Sequence, residues 1–148
     1  MTRKRKALVM LRDARTRLRD LEAARTAQAA QTCDQRERAL ATAHKDLVSA
    51  VVSACDQLAR ARGVSDLEDA HHDVVAARDE VGDARQAVVA AEKLRRQAAD
   101  LLGKRERELR TTERALDQVA SVERRESDRR EQVLVDDLVG SRVARREP

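Results

Sequence analysis

No Phe, Tyr or Trp occurs anywhere in these 148 residues. Aromatic side chains supply the bulkiest buried surface, so a chain without them has only Leu, Val and Ala for packing. Those suffice for a narrow seam between helices and not for a thick globular core. The single Pro is the last residue and there are four Gly, so little in the chain breaks a helix. No stretch approaches the roughly 20 apolar residues needed to cross a bilayer, and the basic start Thr2 to Lys6 is not followed by a signal-like apolar run. A cytoplasmic protein is therefore expected. Only two cysteines are present, Cys33 and Cys55, and along one helix they would lie about 33 Å apart. They cannot bond to each other there, and the reading is reduced packing residues, with an interchain disulfide in oxidised samples as the alternative. Also missing are a phosphate-cradling glycine loop, a nucleophile elbow and any zinc-finger spacing of Cys and His. A chain that builds no enclosed pocket has nowhere to tune a catalytic group, so no enzymatic activity, no cofactor and no metal are expected.

What is there is helix. Charged residues make up 39% of the chain and strong helix formers dominate the rest. Ordered hydrophobic spacing separates this sequence from a disordered one. From Leu67 a strict heptad begins, with Leu67, Val74, Val81, Val88, Arg95, Leu102, Leu109 and Leu116 at one core position. Ala70, Ala77, Ala84, Ala91, Ala98, Arg105, Thr112 and Val119 occupy the other. A repeat of seven held this long demands a partner helix and a left-handed supercoil. The N-terminal half is less regular: Leu40, Ala43 and Leu47 recur eleven residues later as Val51, Ala54 and Leu58, which predicts a locally straighter seam.

The chain is interrupted at Arg62-Gly63-Val64-Ser65, where Gly63 suits a left-handed helix end and Ser65 with Glu68 suits a capping box. The expected fold is all-α, a single unit over residues 1–148: helix one over 3–62, a turn at 63–65, and helix two over 66–139. These would form an antiparallel coiled-coil hairpin in which residues 123–148 overhang the paired region. In such a hairpin facing positions have a nearly constant sum, and about 128 puts Ala70 on Leu58, Ala77 on Val51 and Val81 on Leu47. Large then faces small, as a void-free seam requires. Nearer the open end a sum of about 130 brings Thr112 to Leu18, Leu116 to Ala14, Val119 to Leu11 and Val122 to Leu8.

Charge supports the helices and then divides them. Asp13 with Arg17, Asp34 with Arg38, Asp56 with Arg60, Glu92 with Arg96, Asp100 with Lys104 and Glu106 with Arg110 are acid-before-base pairs at four-residue spacing. Each contributes about 0.2 to 0.5 kcal/mol of helix stability. Residues 1–25 are strongly basic and residues 64–92 strongly acidic, a polarity that can steer different partners to the two ends. Gly82 and Gly103 fall just after core positions, where they either loosen the helix or let a partner approach. Beyond Val122 the core-type positions hold Glu123, Glu126 and Arg130, which cannot form a seam. Val133, Leu134, Val135, Leu138 and Val139 then form an apolar cluster on the unpaired overhang, a candidate docking site.

Two other chemistries compete with solvated helix faces. Cys55, Asp56, His71 and His72 share a level near the turn, but adjacent histidines point about 100° apart on a helix, so the metal reading loses. The basic start Thr2-Arg3-Lys4-Arg5-Lys6 leads into heptads, yet there is no sustained leucine zipper and no aromatic for base stacking. Specific nucleic-acid recognition is not expected; salt-sensitive adhesion is.

The layout resembles the FliJ/YscO family of type III secretion stalk proteins, including its Hrp-system relatives. Overall length, two long helices with a central turn, the start Ala7-Leu8-Val9-Met10-Leu11-Arg12-Asp13-Ala14 and the end Arg129-Arg130-Glu131-Gln132-Val133-Leu134-Val135-Asp136-Asp137-Leu138 carry the likeness. The resemblance implies a non-catalytic accessory subunit of a secretion ATPase, with the ATPase hexamer, an export gate protein and export chaperones as partners. It implies that Arg3, Lys4, Arg5, Lys6 and Arg12 with Arg129, Arg130, Val133, Leu134, Asp136, Asp137 and Leu138 meet the hexamer, while Arg62 and Gly63 face the gate. A monomer at the cytoplasmic face of the apparatus, peripheral to the membrane at most, is expected, with a dimer as the alternative. A self-associating structural coiled coil and a basic nucleic-acid-associated coiled coil are the competing readings.

Overall fold

A computed structural model describes the backbone of residues 2–60 and 63–144, and side chains through Leu138. Two helices account for nearly all of it, α1 over Arg3–Arg60 (58 residues) and α2 over Val64–Ala144 (81 residues), with no strand among the described residues. The helices pack against each other as an antiparallel hairpin, so the expected fold class holds. Thr2 starts α1 for a local reason. Its hydroxyl accepts a hydrogen bond from the Arg5 amide (3.3 Å) and its carbonyl one from the Lys6 amide (3.1 Å), which satisfies donors the first turn would otherwise leave free.

At the other end of α1 the expected details change. Gly63 has no positive φ, so it is not the left-handed cap its position suggested. Helix α2 starts at Val64, inside the expected turn, which puts Ser65 within the first turn and removes it from the capping position. Asp66 there lies where the helix dipole favours an acid. Ala61 and Arg62 lie outside the described residues, and α2 continues past the expected end at 139 to Ala144.

Contacts divide the chain into two compact units, each made of a piece of α1 against a piece of α2: residues 21–103, and residues 1–20 with 104–148. In the first of these, Cys33, Ala54, Ala70, Val81 and Ala91 are buried. The α2 seam follows the expected heptad through Ala70, Val74, Ala77, Val81, Ala84, Val88 and Ala91, apart from exposed end positions such as Leu67. The α1 seam does not follow the expected line. Leu40, Leu47 and Ala54 with Ala43 and Ala50 carry it in steps of seven, while Val51 and Leu58 are 42% and 50% exposed, so the eleven-residue repeat does not define the contact face.

The register shifts with it. Ser53, Asp56, Gln57 and Arg60 share a groove with Asp66 and Asp69, and Arg25, Gln28, Ala29 and Thr32 share one with Ala91, Leu94 and Ala98. These neighbours have position sums near about 124, half a heptad from the expected 128. Leu47 is then opposite Ala77, Ala43 opposite Val81 and Cys33 opposite Ala91, so the large-against-small alternation survives with different partners. Cys33 fills its layer completely (0% exposed), and burial pushes its thiol pKa above the ordinary 9.0; it is a packing residue. Cys55 is exposed and free.

The unit of residues 1–20 and 104–148 is held together differently. Among its described residues Leu109 and Thr112 are buried, and the half-buried α1 positions are Arg5, Leu8, Val9, Arg12, Arg15, Thr16 and Arg19. Of the expected α1 seam here, Leu8 is half-buried while Leu11, Ala14 and Leu18 are exposed. Arginine serves at these positions because its aliphatic stem packs while its head reaches a polar group. Arg15 does so by donating to the Glu108 carbonyl (2.7 Å) and to the Thr112 hydroxyl. In this unit α1 packs through the heptad phase of Arg12, Arg15 and Arg19 and not through the apolar residues one step away.

Candidate partner-binding surfaces

The basic start of α1 is partly spent on the fold. Glu123 accepts hydrogen bonds from the Thr2 amide (3.0 Å), the Thr2 hydroxyl and the Arg5 guanidinium (3.0 Å). The Thr2 hydroxyl, then the Thr2 amide, then Arg5 hold the Glu123 carboxyl down to about 2 from an ordinary 4.5, against the burial that opposes it. The paired region thus reaches Glu123, one step beyond the expected end at Val122 and Leu8. The reason is that a glutamate carboxyl can be satisfied at a seam end by a capping threonine and an arginine. Arg5 is therefore half-buried and engaged. Arg12 is also half-buried and binds Asp13 at 2.8 Å, so Asp13 pairs with its neighbour instead of with Arg17. Arg3, Lys4 and Lys6 remain exposed.

Of the other expected ion pairs, Glu92 with Arg96 (3.3 Å) and Glu106 with Arg110 (3.8 Å) form, and Arg19 with Asp20, Glu22 with Arg25 and Arg105 with Glu108 add local pairs. Asp34 with Arg38, Asp56 with Arg60 and Asp100 with Lys104 do not come within ion-pair distance among the described residues. Exposed pairs of this kind contribute under about 1 kcal/mol each, so these departures cost the fold little.

After Glu123 every described residue to Leu138 is exposed. Glu126, Arg129, Arg130, Val133 and Leu134 line one shallow surface of α2, at helical spacings of three, four and seven. Val133, Leu134, Val135 and Leu138 are 53%, 62%, 56% and 64% exposed, an apolar cluster directly beside two arginines. The structure therefore brings Arg129, Arg130, Val133 and Leu134 together, and leaves Asp136 and Asp137 exposed one turn further on. Such a surface can take an apolar anchor and a carboxylate at once.

Near the turn, Gly63 is exposed and has open space where a side chain would be; Arg62, its expected companion, lies outside the described residues. The adjoining groove of Ser53, Asp56, Gln57, Arg60, Asp66 and Asp69 is polar, with three aspartates against one arginine. Cys55, His71 and His72 are exposed, and no group of three or more His, Cys, Asp or Glu among the described residues is placed to hold a metal ion. No helix among the described residues is long and apolar enough to cross a membrane. On these surfaces the sequence carries no hydrophobic signal for the Thr2–Arg5–Glu123 clamp, and it does not foretell the exposure of Leu11, Ala14 and Leu18. A capping-type threonine just before Arg3 was the available signal for the first. When the chain is compared with protein families, curated proteins and solved structures, nothing matches it.

Proposed function

We propose that this chain is a non-catalytic stalk subunit of a bacterial type III secretion ATPase complex, working at the cytoplasmic face of the apparatus. In this reading it links the ATPase hexamer to the export gate and offers its outer faces to export chaperones. Chemistry stays in the hexamer, and the hairpin transmits position. The observation that carries the reading is the uncovered stretch of α2 after Glu123, where Arg129 and Arg130 lie beside Val133 and Leu134. A monomeric hairpin with no further role has no need of a 53–62% exposed apolar pair there, and such a pair is what a docking helix presents. The exposed cations Arg3, Lys4 and Lys6 would act with it, and complementary charge would speed and orient entry into an acidic pore.

Adding the full chain to a secretion ATPase and following hexamer formation and ATP turnover tests this. The expected result is that both rise, and that Val133→Gln with Leu134→Gln abolishes the rise without loss of helicity by circular dichroism. No change in either quantity at saturating chain rejects the stalk assignment.

A further inference from the structure

The unit of residues 1–20 and 104–148 has a side that its own seam does not cover. With Arg12 and Arg19 at one core position of α1 and Leu109 and Leu116 at the same position of α2, the remaining residues can be assigned to flanks. Leu11, Ala14 and Leu18 fall on one flank of α1, spaced three and four apart, in a line along the helix. Ala115 and Val122 fall on the flank of α2 that adjoins it in an antiparallel pair. The groove shared by Lys4, Gln118, Val119 and Val122 places both flanks on one side of the pair. Leu11 and Leu18 are each 43% exposed and Val122 is 51% exposed, so the pair leaves an apolar furrow between two helices.

The unpaired charge along this furrow is of one sign. Lys4 of α1 and Lys104 of α2 stand on this side, and Arg3, Arg17, Arg107 and Arg114 occupy the outermost position between the two flanks, all exposed and none in an ion pair with a described residue. The one acid among the paired residues on this side, Glu108, is half-buried and held by Arg105 at 2.9 Å, with its pKa lowered first by that hydrogen bond. Asp13, Asp20, Glu106, Glu113 and Asp117 all fall on the opposite flank, mixed with Lys6, Arg110 and Arg124. The acids and the apolar line have been separated onto different sides of the same pair.

We infer that this furrow is the docking site for an amphipathic helix of another protein, one whose apolar stripe is flanked by Asp and Glu. Helical spacing of Leu11, Ala14 and Leu18 fits a third helix laid along the two, with its knobs between theirs. The unpaired cations on both banks choose the sign of its flanks. A nucleic-acid backbone would use the cations and leave the apolar floor unused, and the chain has no aromatic on which a base could stack. The inference goes beyond the stalk reading and does not depend on it, since it rests on the apolar floor of Leu11, Ala14, Leu18 and Val122, which that reading does not use, and shares with it only exposed cations near the start of α1.

The test uses the full chain and two synthetic helical peptides of roughly 20 residues that share one leucine stripe, flanked by Glu in one and by Lys in the other. Binding is read by fluorescence anisotropy and by leucine methyl chemical shifts of the chain. The Glu peptide is expected to bind and to move the Leu11 and Leu18 methyls, and the Lys peptide to bind at least about tenfold more weakly. Leu11→Gln with Leu18→Gln should weaken the Glu peptide about tenfold or more, while Val48→Gln, on an exposed site elsewhere, should not. Equal binding of the two peptides, an unaffected double variant, or unmoved Leu11 and Leu18 methyls overturns the inference. So does a duplex DNA that moves those methyls, or a dimer in sedimentation that the double variant turns into monomer. Methyl shifts on the unaltered chain decide the matter even where a variant unfolds.

Discussion

Truncating two leucines of the same unit, one on each helix, separates the observed seam from the one the apolar residues suggest. Leu109 of α2 is 9% exposed and Leu18 of α1 is 43% exposed. If α1 packed through its best apolar residues, Leu18 would be the buried partner of Thr112 and both truncations would be costly. In the structure Arg15 reaches Thr112 instead, and Leu18 stands beside the seam. Leu109→Ala removes covered atoms and leaves a hole between the helices, at a cost of about 2 to 5 kcal/mol. Leu18→Ala removes atoms that already touch water and leaves no cavity. Full burial of a leucine contributes about 1.5 to 3 kcal/mol, so a side chain little more than half covered forfeits about 1 kcal/mol. Urea unfolding followed by circular dichroism at 222 nm measures both; fluorescence cannot serve, because the chain has no Trp or Tyr. The midpoint should fall at least twice as far for Leu109→Ala as for Leu18→Ala. Equal losses, or a larger loss for Leu18→Ala, would refute the seam described here.

Three more outcomes follow from single sites. Gly82 and Gly103 lie inside α2 with negative φ and nothing within 4 Å of an added Cβ, so Gly82→Ala and Gly103→Ala should each stabilise by about 1 kcal/mol and raise the melting temperature by about 2–4 °C. A lower melting temperature would mean that this space is occupied by something in solution. Glu123 has its carboxyl pKa held at about 2 against 4.5, so its contribution is complete above about pH 4.5 and is lost as pH falls toward 2. Urea midpoints across that window should drop more steeply for the parent than for Glu123→Gln, and parallel curves would show that the Thr2–Arg5–Glu123 clamp does not form. Arg19 keeps a buried Nε with no hydrogen-bond partner at a seam position, so Arg19→Leu should stabilise by about 1 kcal/mol despite loss of its surface pair with Asp20. A loss of stability in that variant would show that the guanidinium is satisfied in solution.

How much of this could be read from residues alone depended on which helix was being read. The α2 heptad was legible because Val74, Val81 and Val88 alternate with Ala70, Ala77, Ala84 and Ala91, and apolar residues at a fixed period leave little choice of face. The α1 heptad was not, because its phase passes through Arg12, Arg15, Arg19, Glu22, Thr26 and Cys33, most of which look like surface residues until a partner helix fixes the face. Reading apolar content alone put Leu11, Leu18, Val51 and Leu58 in the seam and slid the register by half a heptad. Long arginines and a buried glutamate can occupy seam positions when their heads reach backbone or neighbouring charges, as Arg15 and Glu22 do. The overhang was legible because Glu126 and Arg130 at core-type positions cannot form a seam. Glu123 was not, because its partner Thr2 acts through its hydroxyl and backbone amide, groups that carry no hydrophobic signal. Charge separation across the two flanks near the open end became visible only once the α1 phase was known.

Register is the claim on which the seam of residues 21–103 rests, and disulfide trapping reads it directly. In a chain carrying Cys55→Ser, with Cys33 left buried, Ala50→Cys with Val74→Cys places two thiols in one seam layer of residues 21–103. Val51→Cys with Ala77→Cys places them in the layer expected from apolar content. A disulfide needs its Cα atoms within about 4.4–6.8 Å. Mild oxidation should close the first pair within one chain and leave the second open. Closure of the second pair and not the first, or crosslinks found only between chains, would contradict the fold-back as described.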